Sequence, residues 1–239
     1  MDMSAHAVIF CKKELRSYFD SPVAYIVITI FLLISGWFFF SDLFLVNQAS
    51  LRNLFGIIPF IFMFFIPAVT MRLISEEKKS GTLEVLLTLP VEDYQIILGK
   101  FLAGMILIAV AVILTLVYAF TLSGLGNLDF GSVAAGYLGL LLLGATYLSV
   151  GIFTSSLTPN QIVAFITSFL IIFVLFMLDK VLIFVPTFLA SFMEYLSVDY
   201  HFSNLARGVI DSRDILYFLS MIFFFLFLSV RALSNRKWR

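Results

Sequence analysis

Long apolar runs, broken by short clusters of charge, organise this chain. A helix of about 20 apolar residues crosses a hydrocarbon core roughly 30 Å thick. On that measure the pattern predicts an all-α membrane protein with six transmembrane helices, at 22–41, 53–72, 100–121, 132–154, 161–179 and 215–231. Pro22 opens the first where a helix tolerates proline, and Pro59 and Pro67 are expected to kink the second. From Phe130 to Leu178 no residue is charged over 49 positions, too many for one crossing. The cluster Ser155-Ser156-Leu157-Thr158-Pro159-Asn160-Gln161 divides that run into the fourth and fifth spans.

Residues 5–20 follow a different rule. At 100° per residue Val8, Cys11, Leu15, Tyr18 and Phe19 share one arc, while Lys12, Lys13, Arg16, Ser17 and Asp20 lie opposite. That is the pattern of an amphipathic helix lying along the headgroup boundary, with Leu15 and Phe19 toward the acyl chains and Lys12, Lys13 and Arg16 toward anionic lipid. A plain basic flank that fixes topology is the alternative, and the two are compatible. A cleaved signal peptide fits poorly, because the following apolar run is long and no small-residue cleavage pattern ends it.

Composition removes whole classes of function. Hydrophobic residues make up 62% of the 239 positions and charged residues 13%, so too few charges exist to clothe a soluble globule. The 15 Lys and Arg balance 15 Asp and Glu, which leaves no basic excess for nucleic acid. A single Cys11 cannot make a disulfide framework or a cysteine metal site. The span cores hold no Asp, Glu, Lys, Arg or His, which argues against a proton pump or ion-coupled carrier. No Walker-type phosphate loop is present, and no nucleophile–base set, so no catalytic residue, metal or bound cofactor is expected. Any energy for uphill transport comes from another polypeptide.

The basic residues also orient the chain. Lys12, Lys13, Arg16, Arg72, Lys78, Lys79, Lys100, Arg231, Arg236, Lys237 and Arg239 fall on one side of a six-span plan; only Arg52, Lys180, Arg207 and Arg213 fall on the other. Lys and Arg in short loops stay cytoplasmic, so both termini and the loop 73–99 are expected there. The outer region 180–214 contains an apolar stretch interrupted by Pro186, followed by polar residues in which Arg207 and Arg213 are expected to pair with Asp211 and Asp214.

Two further features carry chemistry. Gly131, Ala135 and Gly139 step by four along the fourth span, a stripe that lets helices approach closely, either within the bundle or at a dimer face or translocation wall. In the loop 73–99, Arg72 to Lys79 can extend the second span as a solvated helix that Ser80-Gly81 stops. Thr82 then suits an N-cap, Glu84 lies in the first turn, and Pro90 closes a short helix. Leu83, Leu86 and Leu87 share one face of it, suited to a groove in a partner or to the lipid surface.

The run Arg72…Glu76-Glu77-Lys78-Lys79-Ser80-Gly81-Thr82-Leu83-Glu84-Val85-Leu86-Leu87…Pro90 resembles the signature of type-2 ABC transporter permeases. So do Lys13 to Tyr25 and Gly99-Lys100-Phe101. Ser197 to Phe202 with Arg207 to Asp211 is similar to the subgroup associated with bacterial gliding motility. The resemblance implies an exporter subunit of the bacterial inner membrane, forming the pathway as a homo- or heterodimer with a second permease. It implies two cytoplasmic ABC ATPase subunits that carry ATP and Mg. It implies a coupling helix in which Glu76, Glu77, Gly81, Thr82, Leu83, Glu84, Leu86 and Leu87 form the ATPase contact, and a re-entrant helical element before the sixth span. A membrane scaffold that recruits a cytoplasmic ATPase or motility or secretion partner, without transporting, is the alternative reading.

Overall fold

The computed structural model describes residues 3–46, 51–87, 91–125, 129–181 and 186–235. Among these, all regular structure is helical: α1 Met3–Asp20, α2 Pro22–Val46, α3 Arg52–Thr70, α4 Ser75–Ser80, α5 Thr82–Leu87, α6 Asp93–Leu114, α7 Leu116–Leu125, α8 Phe130–Leu157, α9 Gln161–Met177, α10 Thr187–Leu196, α11 Val198–Ala206 and α12 Ser212–Ser234. Pro90, Arg236, Lys237 and Arg239, all used in the sequence reading, lie outside the described residues, as does the side chain of Leu87.

Among the described residues, five stretches are long and apolar enough to cross a bilayer: Pro22–Ser41, Arg52–Ser80, Asp93–Leu125, Phe130–Leu157 and Ser212–Ser234. The chain is a multi-pass membrane protein. The expected fifth span coincides with α9, which is apolar but only 17 residues long. At 1.5 Å per residue that is roughly 26 Å, the short limit for a crossing. α6 starts at Asp93, ahead of the apolar run, because Glu92 and Gln95 form a reciprocal capping box there. Its far end breaks at Thr115, whose buried hydroxyl bonds Val112 O at 2.6 Å and Tyr137 Oη at 3.2 Å. Neither Pro59 nor Pro67 interrupts α3.

α8 is the central pillar. Of its span, 78% is buried, against 22% for α12 and 33% for α2, so the peripheral helices carry the lipid-facing surface. Small residues make this possible. A Cβ on Gly136 would stand 2.3 Å from the Phe55 ring of α3, one on Gly144 3.0 Å from Ile108 of α6, and one on Gly151 2.1 Å from Thr70 Oγ1 of α3. Of the stripe read from the sequence, Ala135 is buried and Gly139 meets Phe202 and Leu205 of α11 within the same chain. Gly131 is exposed at the start of α8, where Asp129 caps the helix by accepting from Gly131 N at 3.1 Å.

At the opposite end from α4 and α5, α11 packs on α8 and the start of α12, and α10 packs on α11. Asp214, buried at the head of α12, accepts from Asn204 Nδ2 at 3.2 Å and lies 2.6 Å from His201 Nδ1. The second ring nitrogen of His201 bonds Tyr195 O at 3.0 Å, and the ring stacks on Tyr217 at 4.0 Å. Asp211 caps α12 by accepting from Arg213 N. The expected pairing of Arg207 and Arg213 with Asp211 and Asp214 is therefore corrected. A caps-and-histidine arrangement takes both carboxylates, both arginines are exposed, and among the described residues neither forms an ion pair. Lys180 instead bridges Asp179 at 2.9 Å and Asp199 at 2.7 Å. Burial raises the Asp199 carboxyl above its usual range, and the adjacent Lys180 opposes that shift.

Candidate functional site

The chemistry that the spans lack is concentrated where α1, the α3–α4 turn, α4 and the first turns of α6 meet. Lys100 is 1% exposed, an unusual position for a lysine unless it is paired. Its ammonium lies 2.7 Å from Glu14 Oε1, 2.8 Å from Glu77 Oε1 and 2.7 Å from Leu73 O. Three donors meet three acceptors from three separate elements. The Glu14 and Glu77 side chains are themselves 14% and 15% exposed. At these short distances and low exposure each contact is charge-assisted and poorly screened. One ammonium thus holds α1 and α4 onto α6.

α1 is placed by this contact and by close packing. It runs along the first turns of α6, where a Cβ on Gly99 would stand 2.5 Å from Phe10 Cβ. Phe10, Cys11 and Tyr18 are buried, Leu15 and Phe19 half-buried, and Lys12, Lys13 and Arg16 exposed. Part of the apolar arc therefore faces protein rather than lipid. Tyr18 donates to Val69 O at 3.4 Å. Burial, reinforced by the nearby Glu14 carboxylate, raises its phenol far above the ordinary value, so it stays a neutral donor.

The α3–α4 turn has its own lock. Ser155 Oγ, near the end of α8, accepts from Ile74 N and Ser75 N at 3.1 Å each and donates to Met71 O at 3.1 Å. Lys78 Nζ bonds Ser156 O, and Ser75 Oγ bonds Met71 O. The serines that sequence reading treated as a helix breaker are the anchor of this turn. Ser155→Ala removes all three bonds from a fully buried position. It should lower stability by about 1–3 kcal/mol, read as a fall in the thermal midpoint of the detergent-solubilised chain.

α4 ends at Ser80 because Gly81 takes φ +73°, a left-handed conformation that costs other residues but not glycine. Thr82 does not serve as the N-cap expected of it. It is already helical, and its hydroxyl turns back to Ser80 Oγ at 2.8 Å and Glu77 O at 3.4 Å across this tight corner. Leu83 is 1% exposed, filled by the chain's own core, and Leu86 is half-buried. Glu76, Gly81, Thr82 and Glu84 remain exposed. The expected contact residues therefore divide: Glu77 and Leu83 point inward and bind the element to the bundle, Glu76, Gly81, Thr82 and Glu84 face outward, and Leu86 lies between.

Sequence reasoning placed Lys100 among the topogenic charges and missed its role. The signal was available in Glu14, which stands three residues after Cys11 and four before Tyr18, on the apolar arc of α1. A carboxylate on that arc calls for a buried cation. Among the described residues no group of acidic, His or Cys side chains could hold a metal ion.

A family model described as ABC-2 family transporter protein matches residues 8–237, nearly the whole chain. No curated protein matches it significantly.

Proposed function

Because the chain belongs to the ABC-2 transporter family, and so is the membrane permease subunit of an ATP-binding-cassette transporter, we propose that α4 and α5 form its coupling element. An exporter of the bacterial inner membrane would consist of two such permeases, identical or not, and two ATPase subunits that carry ATP and Mg. Both termini and α4–α5 then face the cytoplasm. Relatedness to the gliding-motility subgroup belongs to the same proposal, resting on Ser197 to Phe202 and Arg207 to Asp211.

The observation that carries this reading is the Lys100 contact set. Movement of the ATPase pair would press on the outward face of α4–α5, at Glu76, Gly81, Thr82 and Glu84. Leu86 and Leu87 complete the same short helix. Glu77 and Leu73 pass the displacement through Lys100 into α6 and α1, and Ser155 passes it into α8. The short helix has little freedom to absorb the displacement locally, so the spans move with it. The bundle then shifts between two arrangements according to which of them the ATPase state binds better. Lys12, Lys13 and Arg16 stay exposed on α1 and hold it against anionic headgroups.

Charge reversal at the outward face separates contact from fold. Glu76→Lys with Glu84→Lys should reduce ATPase co-purification at least about tenfold, the effect of roughly 1.4 kcal/mol of lost contact. Membrane insertion and thermal midpoint should stay near wild type, since both side chains are exposed. Undiminished co-purification would place the contact elsewhere.

A further inference from the structure

A cavity of about 290 Å³ opens beside the Lys100 cluster, where α1 ends, α2 begins and α3 runs into α4. Pro22 starts α2 there and Thr70 ends α3, where the charged run from Arg72 begins, which sets the cavity at the level of the bilayer surface. Glu14, Ser17, Tyr18, Ser21, Arg72 and Glu76 line it. The larger groove between α2 and α7, by contrast, is walled mainly by apolar side chains.

Two observations specify an occupant. Among the described residues Arg72 Nε is buried without a hydrogen-bond partner, and its ion-pair contact, Glu76 Oε2, stands off at 3.9 Å. A buried donor in that condition calls for an acceptor that the protein does not supply. The same wall carries the Glu76 carboxylate and the second oxygen of Glu14, whose Oε1 is already held by Lys100 at 2.7 Å. A simple anion would satisfy Arg72 but meet these carboxylate oxygens, and a simple cation would leave the Arg72 donor unmatched. A ligand that satisfies both carries an ammonium and a phosphate a short distance apart.

We infer that this cavity binds the phosphoethanolamine headgroup of an aminophospholipid, with its phosphate on Arg72 and its ammonium toward Glu14 and Glu76. A primary ammonium donates three hydrogen bonds to such carboxylates; a choline trimethylammonium donates none. Ser17, Tyr18 and Ser21 supply hydroxyls around the phosphodiester. The headgroup touches both α1 and the α3–α4 segment, so it bridges the same elements that Lys100 ties together. Membrane lipid composition would thereby set how firmly α1 is held. The inference shares Glu76 with the proposed ATPase contact but does not rest on it, and its test contains no ATPase.

The full chain, delipidated in detergent, is titrated with phosphatidylethanolamine, phosphatidylcholine and phosphatidylglycerol of matched acyl chains, and bound lipid is counted by native mass spectrometry. Phosphatidylethanolamine should bind about tenfold or more tightly than either of the others, the effect of one charge-assisted hydrogen bond. Glu76→Gln should abolish that preference, Arg72→Gln should weaken binding of all three lipids at least about tenfold, and Arg207→Gln, exposed at the other end of the bundle, should change neither. Should Arg72→Gln fail to fold, the exposed Glu76→Gln carries the comparison alone. Soluble glycerophosphoethanolamine is the control for source: it should bind at least tenfold more weakly than the lipid. Equal affinity for the three lipids, or full preference in Glu76→Gln, would overturn the assignment. Binding of the soluble headgroup as tight as that of the lipid would overturn the membrane source.

Discussion

Lys100→Met should destabilise the chain by about 3–5 kcal/mol, the loss found when one partner of a buried ion pair is removed. The size follows from what remains. Glu14 and Glu77 approach the same ammonium, at 2.7 and 2.8 Å, and without it two largely buried carboxylates face each other with no counter-charge. Leu73 O loses its donor as well. The triple variant Lys100→Met, Glu14→Gln, Glu77→Gln should recover most of that loss, because replacing a whole buried charge cluster is far less costly than breaking it. Denaturant unfolding of the purified chain, single against triple variant, measures the coupling directly. A near-neutral Lys100→Met would mean that the ammonium holds nothing in place. The triple variant should fold and insert, yet transmit motion from α4 poorly, since the charged tie to α1 and α6 is gone.

Gly151→Leu should prevent assembly of the bundle, and Gly151→Ala should already cost about 1–3 kcal/mol through overpacking. An added Cβ at this position meets Thr70 Oγ1 at 2.1 Å and Thr70 Cβ at 2.7 Å. Thr70 cannot easily turn away, being fully buried with its hydroxyl bonded to Ile66 O at 3.0 Å. α3 and α8 must therefore separate, and the contact lies one turn from Ser155, so the α3–α4 turn loosens with it. Gly56→Ala is the matched control. Beyond its own stretch of helix, no atom of the described residues lies within 4 Å of its would-be Cβ, and alanine in a helix should add about 0.5–1 kcal/mol of stability. Opposite signs for two glycine-to-alanine changes in one bundle, read as thermal midpoints, would distinguish close packing from helix propensity.

Much of the architecture was legible because lipid simplifies the code. A charge-free run of the right length has few other fates, and Gly81 marked the end of α4 from its sequence position alone. Helix ends were harder. Glu92 with Gln95 starts α6 ahead of the apolar run, a local capping signal that hydropathy does not see. α9 shows the limit of counting: its residues are apolar enough to span, but its 17-residue helix is shorter than the run that suggested it.

The functional cluster was half legible. The acidic-basic run from Arg72 to Lys79 and the Gly81 stop identified the segment, but not which side chains face inward. Glu76 and Glu77 are equivalent in sequence, and their opposite roles arise from helix phase relative to Lys100, which is 23 positions away in the chain and next to it in space. Leu83 read as a contact for a partner and is spent in the chain's own core. The Ser155 lock depends on α8 reaching the α3–α4 turn, a tertiary fact with no local trace.

The most direct test of the coupling assignment is photo-crosslinking from the outward face of α5. A benzophenone amino acid at position 84 is irradiated in native membranes, with one at position 213 as the comparison, and adducts are identified by mass spectrometry. A covalent adduct is expected between position 84 and a protein that carries a Walker-type nucleotide-binding loop, and none from position 213. Adducts from position 84 only to lipid, or only to proteins without a nucleotide site, would contradict the coupling assignment.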